Sequence, residues 1–193
     1  MSSNIELIAG LGNPGARYED TRHNVGFWFV DRLAQSQGCI LRHDNKFHGE
    51  SGKVTISGQS VWLLKPMTYM NHSGQAVSAL AKYYKIAVDN ILVLHDELDL
   101  PPGTLRLKKG GGHGGHNGLR DIIAHFANKE FMRLRIGIGH PGSSREVTNY
   151  VLGSPSRDDE TLINDAMEQA MAVLPQIVDG EFQKAMNHLH SKN

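Results

Sequence analysis

Two spacings of apolar residues take turns along this chain. Ile5 to Ala9 is a short, partly alternating run that predicts a strand ending in the turn-rich stretch Gly10 to Gly15. From His23 or Asn24 onward, Val25, Phe29, Val30, Leu33 and Ala34 fall at helical spacing, and Gly38 is the expected stop. Lys53 to Ile56 and Val61 to Leu64 flank Ser57-Gly58-Gln59-Ser60 and predict a hairpin, with Pro66 closing its second strand. A helix is expected over Ser73 to Lys85. The unbroken run Ile91 to Leu94 reads as a strand buried on both faces. After Pro101-Pro102-Gly103, Thr104 to Leu107 suits an edge strand. A glycine-rich loop, Gly110 to Gly118, feeds a helix carrying Leu119, Ile122, Ile123 and Phe126, and Leu134 to Ile138 is the last clear strand. Near the C-terminus, Ser156 and Asp159 have capping-box spacing. Leu162, Ile163, Ala166, Met167, Ala170, Met171, Leu174 and Ile177 then form an apolar stripe, which Pro175 is expected to kink or end. Strands alternate with helices throughout, so the fold class is α/β: a single domain over 1–193 with a mixed twisted sheet surrounded by helices.

Composition narrows the class. The single cysteine, Cys39, cannot build a disulfide framework or a thiolate zinc site and reads as an apolar filler. Met1 to Leu11 lacks the pattern of a signal peptide, and no run has the ~18 apolar residues of a membrane span, so a cytoplasmic location is expected. Net charge is zero, yet residues 103–145 hold eight Lys/Arg against two Asp/Glu, while residues 146–193 hold three against eight. Such a basic island marks either an anionic partner or a solvated face.

The candidate chemistry sits at the ends of these elements. Gly10-Leu11-Gly12-Asn13-Pro14-Gly15 matches a dinucleotide fingerprint, but Pro14 removes a donor, a polar stretch delays the helix, and the acidic position falls on Asp31 inside that helix. The alternative is a tight turn that presents Asn13 beside a strand end. His23, at the mouth of the first helix, is either a neutral base or a capping residue. Asp96, just past Ile91 to Leu94, is either the partner that orients a histidine, a turn aspartate, or a metal ligand with His95. No G-x-S-x-G occurs, so a His–Asp pair here points to an activated water. His113 and His116 have H-x-x-H spacing, a weak metal signal in a flexible loop. That loop reads better as backbone donors at a helix start, with Asn117 near the cap. Asn71 is either a cap or a hydrogen-bond donor to an oxyanion. Lys108, Lys109, Arg120, Arg133 and Arg135 together suit a nucleic-acid backbone.

GLGNPGARYEDTRHNVG at 10–26, KPMTYMNHSG at 65–74, LHDELDLPPG at 94–103, GGGHGGHNGLRDI at 110–122 and RLRIGIGHP at 133–141 jointly resemble the bacterial peptidyl-tRNA hydrolase family. The stretches run in family order over most of the chain; beyond residue 145 the likeness rests on length and helical character. The resemblance implies a monomeric α/β enzyme. It would hydrolyse the ester joining peptide to tRNA, without metal or cofactor, and release free peptide and tRNA. It implies His23 as the base and Asp96 as its orienting partner. Asn13, Tyr18, Met70, Asn71, His116 and Asn117 would line the substrate cleft, and Lys108 and Arg135 would face tRNA phosphate.

Overall fold

In the computed structural model, which describes residues 4–191, seven strands form one mixed sheet in the order β2-β3-β4-β1-β5-β7-β6. The strands are β1 (Leu7–Gly10), β2 (Arg42–Asp44), β3 (Gly49–Ile56), β4 (Gln59–Pro66), β5 (Ile91–Glu97), β6 (Leu105–Lys109) and β7 (Met132–Gly137). β4, β1, β5 and β7 run parallel, while β2, β3 and β6 are antiparallel to their neighbours. The α/β expectation therefore holds, with β6 at the edge. Met1 to Ser3 of the N-terminal stretch, and Lys192 and Asn193, lie outside the described residues.

Period-two alternation assigns each strand residue to one of two cores. Ile8, Leu92, Leu94, Leu134 and Ile136 pack on one side, with α1 (Val25–Ser36), α5 (Arg157–Val178) and α6 (Phe182–His190). Leu7, Ala9, Ile91 and Val93 pack on the other, with α2 (Ser73–Tyr83) and α3 (Asn117–Phe126). Both faces are covered, so the central strands read as continuous apolar runs. A short helix, α4 (Val147–Val151), joins the end of β7 to α5.

Three expectations change in detail. The hairpin turn is only Ser57-Gly58, both at positive φ (52° and 75°), so Gln59 and Ser60 belong to β4. Two positive-φ residues match the twist of the strands they join. Pro175 does not end α5, which continues to Val178. Leu174, Ile177 and Val178 are buried around it while Pro175 itself is exposed, so packing carries the helix past the missing N–H. Leu162 belongs to the apolar stripe by spacing but is 48% exposed, so it is not core.

Gly26 shows how tightly the site end is built. A Cβ there would lie 2.5 Å from the Leu11 nitrogen and 2.6 Å from the Leu94 carbonyl oxygen, so only glycine lets α1 rest on the ends of β1 and β5. Overpacking against backbone is relieved only by moving the helix. Gly26→Ala is expected to cost about 2–3 kcal/mol in urea unfolding; wild-type stability would show that the contact is slack.

Candidate active site

The parallel strands end together, and the loops beyond them enclose a cavity of about 710 Å³. This is where ligands bind in parallel α/β sheets. Leu92 and Leu94 set the phase that places Asp96 on the α1 side of β5, and His23 stands in a 3-10 turn (Arg22–Asn24) leading into α1. The two residues meet: His23 Nδ1 lies 2.8 Å from Asp96 Oδ2. An ionised carboxylate only accepts, so Nδ1 carries the proton and Nε2 keeps the lone pair, on a ring that lines the cavity.

Asp96 is buried and also accepts from His116, whose Nε2 lies 2.7 Å from Oδ1. Burial alone would raise its pKa, but the two imidazoles outweigh that and hold it well below the usual carboxylate range. Burial pushes His23 down, but the charge and hydrogen bond of Asp96 win, so its pKa lies above the ordinary value. The sequence argument that a helix start keeps this imidazole neutral is overridden by the carboxylate beside it. His95 lies on the opposite face of β5, buried, and its Nδ1 donates to the Asp96 carbonyl at 2.9 Å. Burial first, then electrostatic interaction with His116 and Arg133, pushes its pKa down to about 3, so it stays neutral.

His116 caps α3, a role the sequence assigned near Asn117. Its Nδ1 accepts from the N–H groups of Gly118 and Leu119 at 3.1 and 3.3 Å. Both ring nitrogens are thereby engaged: His116 reaches the cleft as a support for Asp96, not through a free ring nitrogen. His23, Asp96 and His116 offer ligand atoms within 4.8 Å of one another, close enough for a metal ion. The hydrogen bonds within the trio bear on that. The lone pair of His116 faces the α3 amides, so Nε2 presents a proton where a metal needs electrons. His113 is not in this trio; its Nδ1 accepts from Gly115 N–H at 2.9 Å.

Asn13 is held in place from two sides. Asn24 accepts from its backbone N–H at 2.8 Å and donates to its carbonyl at 2.9 Å. Asn13 Oδ1 accepts the backbone N–H of Met70 at 2.6 Å, which leaves Nδ2 as a donor on the cavity wall. The turn that carries it is tightly packed. A Cβ at Gly12 would lie 2.8 Å from the Phe27 ring, so that loop is packed on α1. Met70, Asn71, His116, Asn117, Lys108 and Arg135 all line the cavity. Tyr18 stands behind the rim, its ring edge-on to Tyr69 at 6.4 Å, and Tyr69 is the ring on the wall.

The basic island divides. Lys108 is exposed, and Arg135 is half-buried with its Nε 2.9 Å from Glu97. Arg133 is buried, and its guanidinium donates to the carbonyls of Gly111, Gly112 and Lys129. It fastens the glycine loop rather than facing a nucleic acid, because that loop folds back over β7. Sequence reasoning missed Asn24 and Tyr69 as site residues. Both lie in motifs it quoted, beside His23 and Met70, and Tyr69 is 59% exposed.

A family model described as Peptidyl-tRNA hydrolase matches residues 7–193. The chain is 56% identical over 191 residues to the peptidyl-tRNA hydrolase of Coxiella burnetii (strain CbuG_Q212), covering 99% of this chain and 100% of the relative. It is 56% identical over 188 residues to that of Methylobacillus flagellatus, covering 97% of each. The crystal structure of peptidyl-tRNA hydrolase from Acinetobacter baumannii superposes with a TM-score of 0.95 at 53% identity, over 98% of this chain and 96% of that one.

Proposed function

The chain belongs to the peptidyl-tRNA hydrolase family, and from this premise we propose that it hydrolyses the ester between peptide and tRNA with His23 as general base and Asp96 as its orienting partner. The observation that carries the assignment is the 2.8 Å contact between His23 Nδ1 and Asp96 Oδ2 at the cavity. It leaves one basic nitrogen, Nε2, on a ring that lines the substrate space. Nε2 takes a proton from water as the water oxygen bonds to the ester carbonyl carbon. The resulting oxyanion is met by Asn13 Nδ2, the one polar end of that amide not consumed by Met70. When the carbon–oxygen bond to ribose breaks, the proton on His23 passes to the leaving ribose oxygen. Peptide carboxylate and tRNA are released.

Asn71 and Asn117 supply further amides on the same wall, for the peptide and the attacking water, and Tyr69 backed by Tyr18 forms the rim. Lys108 and Arg135 take the phosphate backbone near the acceptor end. No metal or cofactor enters the scheme, which the proton on His116 Nε2 supports. The scheme needs no second chain and is assigned to a single-domain monomer, and the reaction belongs in the cytoplasm, where translation supplies the substrate. No helix among the described residues is long and apolar enough to cross a membrane. The test is the release of free peptide and 3′-hydroxyl tRNA from peptidyl-tRNA by the purified protein after exhaustive chelation. Full activity is expected; loss that zinc restores would replace this scheme with a metal hydrolase.

A further inference from the structure

Arg22 sits in the same turn as His23, but its side chain leaves the cleft for another element. Its Nη1 donates to the Tyr150 carbonyl at 2.9 Å, and its guanidinium carbon lies 3.8 Å above the Tyr150 ring. Its main-chain N–H donates to the Gly153 carbonyl at 3.0 Å. A Cβ on Gly153 would come within 3.2 Å of Nη1, so the glycine leaves the guanidinium room. Tyr150 is anchored in turn, its hydroxyl donating to the Ile138 carbonyl at 2.7 Å. Among the described residues, the partners of this cation are the Tyr150 ring and the Tyr150 carbonyl oxygen rather than a carboxylate. Such a contact depends on the planar fork, not on charge alone.

What Arg22 grips is a wall of the cleft. α4 and the residue after it contribute Val147, Thr148, Val151 and Leu152 to the cavity lining. His23 faces the same cavity from the next residue along. We propose that Arg22 is a positioning residue that ties the α4 wall to the turn carrying His23, so that seating the wall and aligning the imidazole on Asp96 are one event. It touches no reacting atom. It acts through His23 on one side and Tyr150 on the other, and it rests on the reading of His23 as the base.

The variants are Arg22→Lys, Arg22→Gln, Tyr150→Ala and Arg22→Lys/Tyr150→Ala, each confirmed folded by thermal melting. Two quantities are read: kcat on peptidyl-tRNA, and the titration of the His23 ring by NMR in the free protein. Lysine keeps the charge but loses the stack and the fork. Arg22→Lys is therefore expected to lower kcat roughly 10–100-fold, the scale of a small misplacement of a catalytic group. The His23 pKa should fall in the same variant, because a loosened ring shares less of the Asp96 contact. The double variant should lose no more than the worse single one, since both cut the same tie. Wild-type kcat in Arg22→Lys, additive losses, or a kcat loss with the His23 titration unmoved would each overturn the proposal. Failure of the wild-type protein to cleave peptidyl-tRNA would sink the assigned reaction instead, and the NMR titration would still decide whether the tie exists.

Discussion

His23→Ala is expected to lower kcat for peptidyl-tRNA hydrolysis by about 10²–10⁴-fold, the usual contribution of a general base, while affinity for deacylated tRNA stays at the wild-type level. The two quantities separate because the parts separate in space. His23 contributes its Nε2 to the cavity and its Nδ1 to Asp96. The phosphate-facing candidates, Lys108 and Arg135, stand on β6 and β7 and do not depend on α1. Truncation removes one donor from Asp96, but His116 Nε2 still satisfies Oδ1 at 2.7 Å, so the buried carboxylate is not abandoned. The proposed oxyanion donor is equally independent: Asn13 is held by Asn24 and Met70. Residual activity in the variant thus measures what Asn13 and substrate positioning supply alone. Single-turnover hydrolysis under saturating enzyme, paired with a tRNA binding titration, reads both numbers. Lost binding with an unchanged chemical step would reverse the roles assigned here.

Most of the scaffold was legible because apolar spacing reports directly on burial. Ile91 to Leu94 had to be a covered strand, and that fixed Asp96 at its far end. The bend of the hairpin and the passage of α5 through Pro175 were not legible, since both are decided by what packs alongside. The site divides in the same way. His23, Asp96 and Asn13 sit at strand ends or a helix mouth, where the local sequence offers a place on the cleft beside a cap or turn role. Arg133 and His116 do not have that property. In a strand, Arg133 looks like a partner for phosphate. Only the return of the glycine loop over β7 turns it into a clamp on the Gly111 and Gly112 carbonyls. His116 looks like a substrate or metal contact until α3 and β5 are brought together, which commits one nitrogen to a helix start and the other to Asp96. Tautomers are tertiary facts: no spacing along a chain reveals which ring nitrogen is free.

Asp96→Asn puts that dependence to the strongest test. The carboxylate accepts from two imidazole N–H groups at once, at Oδ2 and Oδ1. An amide of the same shape accepts from only one and presents its own N–H groups to the other. His116 is locked by the α3 amides and keeps its proton on Nε2, so it claims the amide oxygen. His23 must then face Asn Nδ2, which favours a lone pair on Nδ1 and a proton on Nε2. The base would point its lone pair at residue 96 instead of at water. A wrong tautomer in an otherwise intact site is expected to lower kcat/KM by roughly 10³–10⁴-fold, as for the orienting acid of a catalytic triad. The pH profile should move with it. In the wild type the His23 pKa lies above 6.5, so kcat/KM is expected to fall as pH drops through that raised value and the ring becomes charged. Without the carboxylate the largest remaining influence is burial, which lowers the pKa, so the inflection of the residual activity should shift to lower pH. A low plateau with its inflection displaced toward acid is the expected signature. A variant with wild-type kcat/KM and an unmoved inflection would mean that residue 96 does not steer the base, whatever the distance between them.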